Sequence, residues 1–303
     1  LGVSAIGGVN YSHPAGVFHE PIEVTLSTKT DGGVIRYTTD GRAPSIFNGT
    51  NYTAPITITK STCLRANISV NGQVVSPLAT QIYLAVDEAV DRFDSNLPIA
   101  LIDGRGHDFS QDTSLSMGFP QSPVCSAFFE PGDSGRAQLT QLPDHIGRAG
   151  MNVRGASSRG WPKKQFKFET WGEADEDRDV SLLGLPADAD WILAAPYFDR
   201  SLMRNEITFR WWEKLGYYSP RTRYLELFVD MNGDERFTME DYQGVYLLTE
   251  KIKAAADRLD IAEDGYVVEA TNVNQHWVSA RGIRLKYVEP SESDEAPDHK
   301  QTV

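Results

Sequence analysis

Two folded parts are predicted for this 303-residue chain: a small all-β sandwich, then a larger mixed α+β domain. Three observations predict them. Residues 14–84 alternate apolar and polar side chains in twos, with turn dipeptides between the runs. Beyond residue 95, strand-like runs share the chain with one stretch of helical spacing. Hydrophobic residues make up 40% of the chain and aromatics 10%, enough for packed cores in a chain longer than most small domains.

In the first part, "IEVTLST", "VIRYTT", "PITIT" and "CLRANISV" each predict a half-buried strand. Turn signals separate them: "DGG" at 31–33, "DG" at 40–41, and "NG" at 48–49 and 71–72. Short strands at regular spacing predict a small antiparallel sandwich over 13–85, after a leader of residues 1–12. Residues 86–95 form the linker, and 96–303 the second domain.

That domain opens on "IALIDG", a short buried strand, and continues through 104–150, a Gly-, Ser- and Pro-rich stretch predicted as long surface excursions. Strand character resumes at "MNVRG". In "KKQFKFET", alternation puts Phe166 and Phe168 on one face and Gln165, Lys167 and Glu169 on the other. In "YFDRSLMRNEITFRWWEKLG", Met203, Ile207, Trp211 and Leu215 recur every four residues, predicting a helix that Asp199 or Ser201 caps and Gly216 ends.

Charge narrows the function. Lys and Arg total 29 against 42 Asp and Glu, a formal net charge of −13, which argues against general nucleic-acid or anionic-membrane binding. No apolar run reaches membrane-spanning length. The two cysteines, Cys63 and Cys125, allow one disulfide at most, and six scattered histidines show no zinc-hydrolase spacing. Against this acidic background, "RGASSRGWPKKQFKFE" (154–169) gathers Arg154, Arg159, Lys163, Lys164 and Lys167. Its Gly/Ser turn lets backbone N–H groups approach an anion, so the segment is a candidate phosphate cradle. Equally, these cations are candidates for pairing with the acidic run "EADEDRD" at 173–179. Residue types alone do not separate the two readings.

A second charged stretch, "DMNGDERFTMED" (230–241), sets Asp230, Asn232, Asp234 and Asp241 at positions 1, 3, 5 and 12 of an EF-hand-type loop. Arg236 would offer its backbone carbonyl. Glu235 stands where glycine is usual and Asp241 where glutamate is usual. A structural calcium ion is expected here, against the plainer alternative of a polar hairpin turning at Asn232-Gly233.

Two resemblances add to this. "IRYTTDGRAPS", "YTAPITI", "CLRA" and "TQIYLA" resemble the chitobiase/β-hexosaminidase C-terminal-type repeat, an immunoglobulin-like module of secreted bacterial proteins. That likeness implies a spacer or binding module. Tyr37, Asp40 and Tyr52 are its candidate sugar contacts, with core packing and turn geometry as the alternative. "VRGASSRGWPKKQFKFE", "LLGLPADADWILAAPYFDRSLMRNEITFRWWEKLG", "PRTRYLELFV" and "YQGVYLLTEKIK" resemble, in order, the CotH family of atypical protein kinases. This second likeness implies an α+β kinase-like domain whose basic segment clamps ATP phosphates. Lys164 is then the principal contact, surrounded by Arg154, Ser158 and Lys163, and Glu250 is a partner for Lys164. Asp199, Arg204 and Asn205 become supporting scaffold.

The family's downstream Asp-x-x-x-x-Asn-like and Pro-Trp-Asp stretches, which carry magnesium and catalysis, do not occur in this sequence. Catalytic residues are therefore not assigned, and transfer to protein Ser/Thr is expected only where those carboxylates, with ATP and magnesium, are supplied. Either the natural chain continues past Val303 or this form has lost the chemistry. The alternative function is a non-catalytic extracellular adhesion or assembly module, facing a carbohydrate surface. Both readings place the protein outside the cell or on its surface.

Overall fold

The computed structural model describes residues 8–109, 121–155, 157–262, 265–271 and 277–289. Residues 1–7 of the expected leader, Ala156 of the Gly/Ser turn and the acidic segment 290–303 lie outside the described residues. The described chain divides into two compact units, residues 1–197 with 223–248, and residues 198–222 with 249–303.

The first unit begins with an immunoglobulin-like sandwich. Its strands are β1 (Asn10–Tyr11), β2 (Gly16–Phe18), β3 (Ile22–Val24), β4 (Leu26–Ser27) and β5 (Val34–Thr38). They continue with β6 (Thr50–Asn51), β7 (Ile56–Ile58), β8 (Thr62–Val70), β9 (Gln73–Val74) and β10 (Ala79–Ala85). The main sheet runs β2-β10-β8-β5-β6 with β9 on β8, while β1–β4 and β3–β7 form two further pairs. Asn71 and Gly72, both at positive φ (52° and 81°), make the β8–β9 hairpin turn that Asn-Gly predicts.

A single helical turn, α1 (Glu88–Asp91), follows, capped by Asp87, whose Oδ1 accepts from Val90 N at 2.8 Å. The chain then builds β11 (Asp94–Ser95), β12 (Ile99–Asp103), β13 (Ser122–Phe129), β14 (Ala137–Gln138), β15 (His145–Arg154), β16 (Gln165–Trp171) and β17 (Asp190–Ala194). With β18 (Thr222–Val229) and β19 (Tyr242–Glu250), these close a barrel in the order β12-β13-β15-β16-β17-β19-β18, where β12 and β18 run parallel.

Period-two geometry explains how sandwich and barrel join. Successive side chains on a strand point to opposite faces. On β8, Leu64, Ala66 and Ile68 enter the sandwich core, while Cys63 belongs to a second cluster. On β10, Tyr83 and Ala85 take the sandwich core, Ile82 and Leu84 the second cluster. The barrel strands split the same way. Ala100, Ile102, Val124 and Phe128 fill the barrel interior, whereas Ile99, Leu101, Cys125, Ala127 and Phe129 face the second cluster. That second cluster is a core shared between sandwich and barrel.

Such two-sided burial also overturns one expectation. Residues 104–150 are not all surface excursion: they hold β13, whose "VCSAFF" is buried throughout, and the start of β15. A strand covered on both faces loses its alternation and cannot be told from a loop by pattern. The regular structure described after 95 is mostly strand, and one described helix, α2 (Arg204–Lys214), exceeds a single turn.

The second unit holds α2 and a three-stranded sheet in the order β20 (Val267–Ala270), β22 (Arg284–Glu289), β21 (Trp277–Val278). Gly216, at φ +87°, ends the helix region as expected. Among the described residues no helix is long and apolar enough to cross a membrane.

Candidate functional site

The basic stretch is a strand–turn–strand on the barrel. β15 ends at Arg154, half-buried and opposite Gln165 of β16. Gly155 follows at φ +105°, in a region that side chains rarely adopt, and a Cβ there would fall on Ser158 Oγ. Glycine is therefore required twice over, by conformation and by space. The turn continues as a 3-10 helix, Ser157–Gly160, in which Ser158 is buried and its carbonyl accepts from Trp161 N at 3.1 Å. Arg159 Nε returns to Gly155 O at 2.8 Å.

β16 then fixes the lysines. Phe166 and Phe168 are fully buried in the barrel core, as their alternation predicts. Lys163 Nζ donates to Val245 O at 2.6 Å and sits 4.6 Å from the centre of the Tyr246 ring. Burial holds its pKa below the usual lysine range. Lys164 Nζ donates to Arg159 O at 2.6 Å, bracing the turn, and the Lys164 carbonyl accepts from Tyr246 Oη at 2.6 Å. Each ammonium has three N–H donors, and the carbonyl contact uses one. Neither pairs with a carboxylate among the described residues.

Lys167 differs. Its Nζ lies 2.9 Å from Glu169 Oε2 and 3.9 Å from Asp190 Oδ1, so it is neutralised locally. The acidic run is engaged elsewhere. Glu173 pairs with Arg65 of the sandwich at 2.9 Å and accepts from Thr80 Oγ1 at 2.6 Å, while Asp175 pairs with Arg148. Glu173 and Asp175 of the acidic run thus pair with Arg65 and Arg148 rather than with Lys163 or Lys164.

Glu250 is fully buried at the end of β19. Its oxygens accept from Arg221 N at 2.9 Å, from Arg221 Nε at 2.7 Å, and from the fully buried Arg258. Within its own unit the carboxylate is held by these two arginines, because a buried carboxylate is satisfied by whichever guanidinium donors the fold brings to it. Arg221 lies in the family-like stretch "PRTRYLELFV" but is given no role there, Arg258 lies in no quoted motif, and only the fold brings them to Glu250.

Asp199 Oδ1 accepts from Ser201 N and Oγ at 3.0 and 2.6 Å, and Oδ2 accepts from Arg204 N at 2.8 Å. The Ser201 hydroxyl, foremost, holds this carboxyl below the usual range. Arg204 Nε is 3.6 Å from Asp199 Oδ1, and Asn205 is exposed in the first turn of α2.

The acidic loop between β18 and β19 is a chain of turns. Asp230 accepts from Gly233 N at 2.7 Å and Glu235 N at 3.0 Å, Asn232 from Asp234 N at 3.1 Å, and Asp234 from Arg236 N at 3.0 Å. Glu235 takes φ +62°, the conformation for which glycine is usual at that position. Asp241 accepts from Thr238 N at 2.8 Å in a capping box. Burial raises Asp230, and raises Asp241 to about 6, with Asp230 and Asp234 adding to the latter. Among the described residues no three acidic, His or Cys side chains are gathered as a metal cage. The loop also clamps sandwich to barrel: Arg236 Nη2 donates to His19 O and Val86 O at 2.9 and 2.8 Å, and Phe237 is buried in the shared core.

Behind the loop lies Asp103, an acid that no sequence pattern marked. It is 1% exposed; Oδ1 accepts from Arg105 N at 3.0 Å, and Oδ2 has no hydrogen-bond partner among the described residues. Burial raises its pKa to about 7, with Asp230 and Glu235 adding to the rise. On the sandwich, Tyr37 and Tyr52 pack edge to face at 6.4 Å against the core, and Asp40 holds Arg42. Packing and turn geometry account for all three.

Residues 13–80 match the family model described as chitobiase/beta-hexosaminidase C-terminal domain. No curated protein shows significant similarity to the chain. Residues 151–302, half of the chain, match the model described as CotH kinase protein, a range that takes in the basic turn, both lysines and Glu250. The chain belongs to the CotH kinase family, as a kinase-like protein carrying an N-terminal chitobiase-type sandwich.

Proposed function

We propose that the barrel is the nucleotide-binding part of an atypical kinase-like domain and that residues 154–167 hold ATP phosphates. The observation that carries this reading is the pair Lys163 and Lys164. Both are half-buried, both are braced on carbonyl oxygens, and neither is ion-paired with a carboxylate among the described residues. A cation held in that way retains its attraction for an anion. Ser158, Arg154 and the backbone of the turn complete the donor set, with Gly155 permitting the close approach. Phosphoryl transfer to a protein Ser/Thr belongs to this reading where the downstream carboxylates of the family are supplied. Magnesium, if bound with the nucleotide, would supply charge neutralisation for that transfer. The described residues gather no carboxylate set for it, so no step is assigned to it.

Calcium in the 230–241 loop is part of the same proposal. The consecutive turns and the positive φ of Glu235 support it, and binding would require Asp241 to leave its capping box. The acidic balance and the accessory module support secreted or cell-surface placement, with protein or carbohydrate rather than nucleic acid as partner. We take 13–85 and 96–303 as the two domains.

Calorimetric titration with ATP tests the site. Lys164→Ala should weaken binding by roughly 1.5–3 kcal/mol, the loss of one charge-assisted contact, with an unchanged melting midpoint. Affinity indifferent to Lys164 would leave the lysine as a brace for its own turn.

A further inference from the structure

Two buried carboxylates stand side by side at the ends of neighbouring strands. β12 and β18 run parallel with Ile102 opposite Val229, and Asp230 N donates to Ile102 O at 3.0 Å, so the next rung sets Asp103 beside Asp230. Alternation turns both side chains to one face. Ala100 and Ile102, like Leu227 and Val229, fill the barrel interior, so Asp103 and Asp230 point the other way, toward the shared core. Neighbouring strands lie about 4.8 Å apart, which brings the two carboxyl groups within reach of one cation. The 230–241 loop covers the same face, where its Phe237 enters the shared core. The turn after β12 is pressed against that loop, backbone on backbone. His107 N donates to Gly104 O at 3.0 Å. A Cβ on Gly104 would lie 3.0 Å from Asp230 O, and one on Gly233 would lie 2.8 Å from the Gly106 carbonyl carbon.

Among the described residues neither carboxylate is ion-paired with a cationic side chain. Asp230 is fully buried and accepts from the backbone N–H groups of Gly233 and Glu235. Asp103 accepts from Arg105 N, and its buried Oδ2 has no hydrogen-bond partner among the described residues. Two carboxylates withdrawn from water cost free energy that a bound cation offsets. We propose that Asp103 is a ligand of the calcium ion bound by the 230–241 loop, supplied from outside the loop and set beside Asp230. The proposal rests on the calcium reading of that loop and changes which carboxylate completes it. The spacing takes Asp241 as the twelfth-position ligand, and the loss of the capping box follows from that choice. Asp241 Oδ2 accepts from Thr238 N at 2.8 Å and from Thr238 Oγ1 at 3.2 Å. Asp103 Oδ2 has no such bond to give up, so with Asp103 as ligand the cap stays closed. The described fold gathers no three acidic side chains here, and calcium does not need three in advance. It takes amide and backbone carbonyl oxygens and water beside carboxylates, and Asn232 and the Arg236 carbonyl are the neutral donors of the loop. Asp234, exposed at the fifth position, closes on the ion from the solvent side.

The test is calorimetric titration of the chelator-treated full chain with calcium chloride. Wild type should take up one ion. Asp103→Asn keeps the shape of the side chain and should weaken calcium by about 10–100-fold, as expected for a lost charged ligand. Asp241→Asn should stay within about threefold of wild type, because its amide oxygen still accepts from Thr238 N. The rise in melting midpoint on adding calcium should follow the same order. In chelator alone, Asp103→Asn should melt no lower than wild type, which separates a lost ligand from a damaged fold. Calcium uptake that Asp234→Ala removes and Asp103→Asn leaves unchanged would overturn the role of Asp103 while the loop reading stands. No heat of binding with wild type would overturn both. Where Asp103→Asn does not fold, Asp241→Asn decides: retained calcium affinity supports Asp103, and lost affinity returns the ligand to the loop's own twelfth position.

Discussion

Arg258 in the second unit and Lys163 on the barrel are both cations withdrawn from water, and they are held in opposite ways. Arg258 is fully buried against Glu250, a carboxylate that also takes two donors from Arg221. Lys163 is half-buried against a carbonyl and a tyrosine ring, and burial lowers its pKa. A carbonyl dipole orients an ammonium without cancelling its charge, whereas a carboxylate does both. One cation is structural, and the other remains available to an anionic ligand.

The comparison breaks most visibly at Glu250. Glu250→Ala leaves Arg258 buried without its counter-charge, a loss of about 3–5 kcal/mol. Urea denaturation should show that loss. A change below 1 kcal/mol would place Arg258 in contact with water and erase the contrast.

Asp103 sharpens it with a buried anion. Its folded pKa, about 7, lies above the ordinary carboxyl value, so folding favours the neutral acid. The destabilisation is absent below about pH 4, grows as pH rises, and is complete above about pH 7. Asp103→Asn keeps the shape and removes the charge. Relative to wild type, it should be more stabilising at pH 7.5 than at pH 5, by on the order of 2–4 kcal/mol. His145, whose pKa burial lowers to about 4, titrates in the same window with the opposite effect. Comparing the two proteins at each pH cancels its contribution. A difference independent of pH would mean that Asp103 is already compensated.

On the barrel, Lys163→Ala should weaken ATP by roughly 1.5–3 kcal/mol while changing stability far less than Glu250→Ala. Equal effects on stability and affinity would reduce Lys163 to a brace for β19. An effect of similar size is expected at the acidic loop. Saturating calcium at 100 times its dissociation constant should stabilise the protein by about 2.7 kcal/mol, and Asp234→Ala should abolish that gain. Chelator without effect on the midpoint would leave the loop as a polar clamp.

Alternation by itself determined β3 and β7 and the burial of Phe166 and Phe168, because a less buried face left a period to read, and the Asn71-Gly72 dipeptide determined its own turn. Motif order gave the family, and the basic segment gave the candidate lysines. Spacing placed the helix, but not its surroundings: Met203, Ile207, Trp211 and Leu215 are 37–68% exposed. Tertiary structure alone decided which charges meet. Glu250 found Arg221 and Arg258, and Glu173 found Arg65 across more than a hundred residues. It also decided that β8, β10, β12 and β13 are covered on both faces, which removes the very alternation that reveals a strand. Local periodicity records one neighbouring face; ion pairs and a shared core depend on segments distant in sequence, and only folding brings those together.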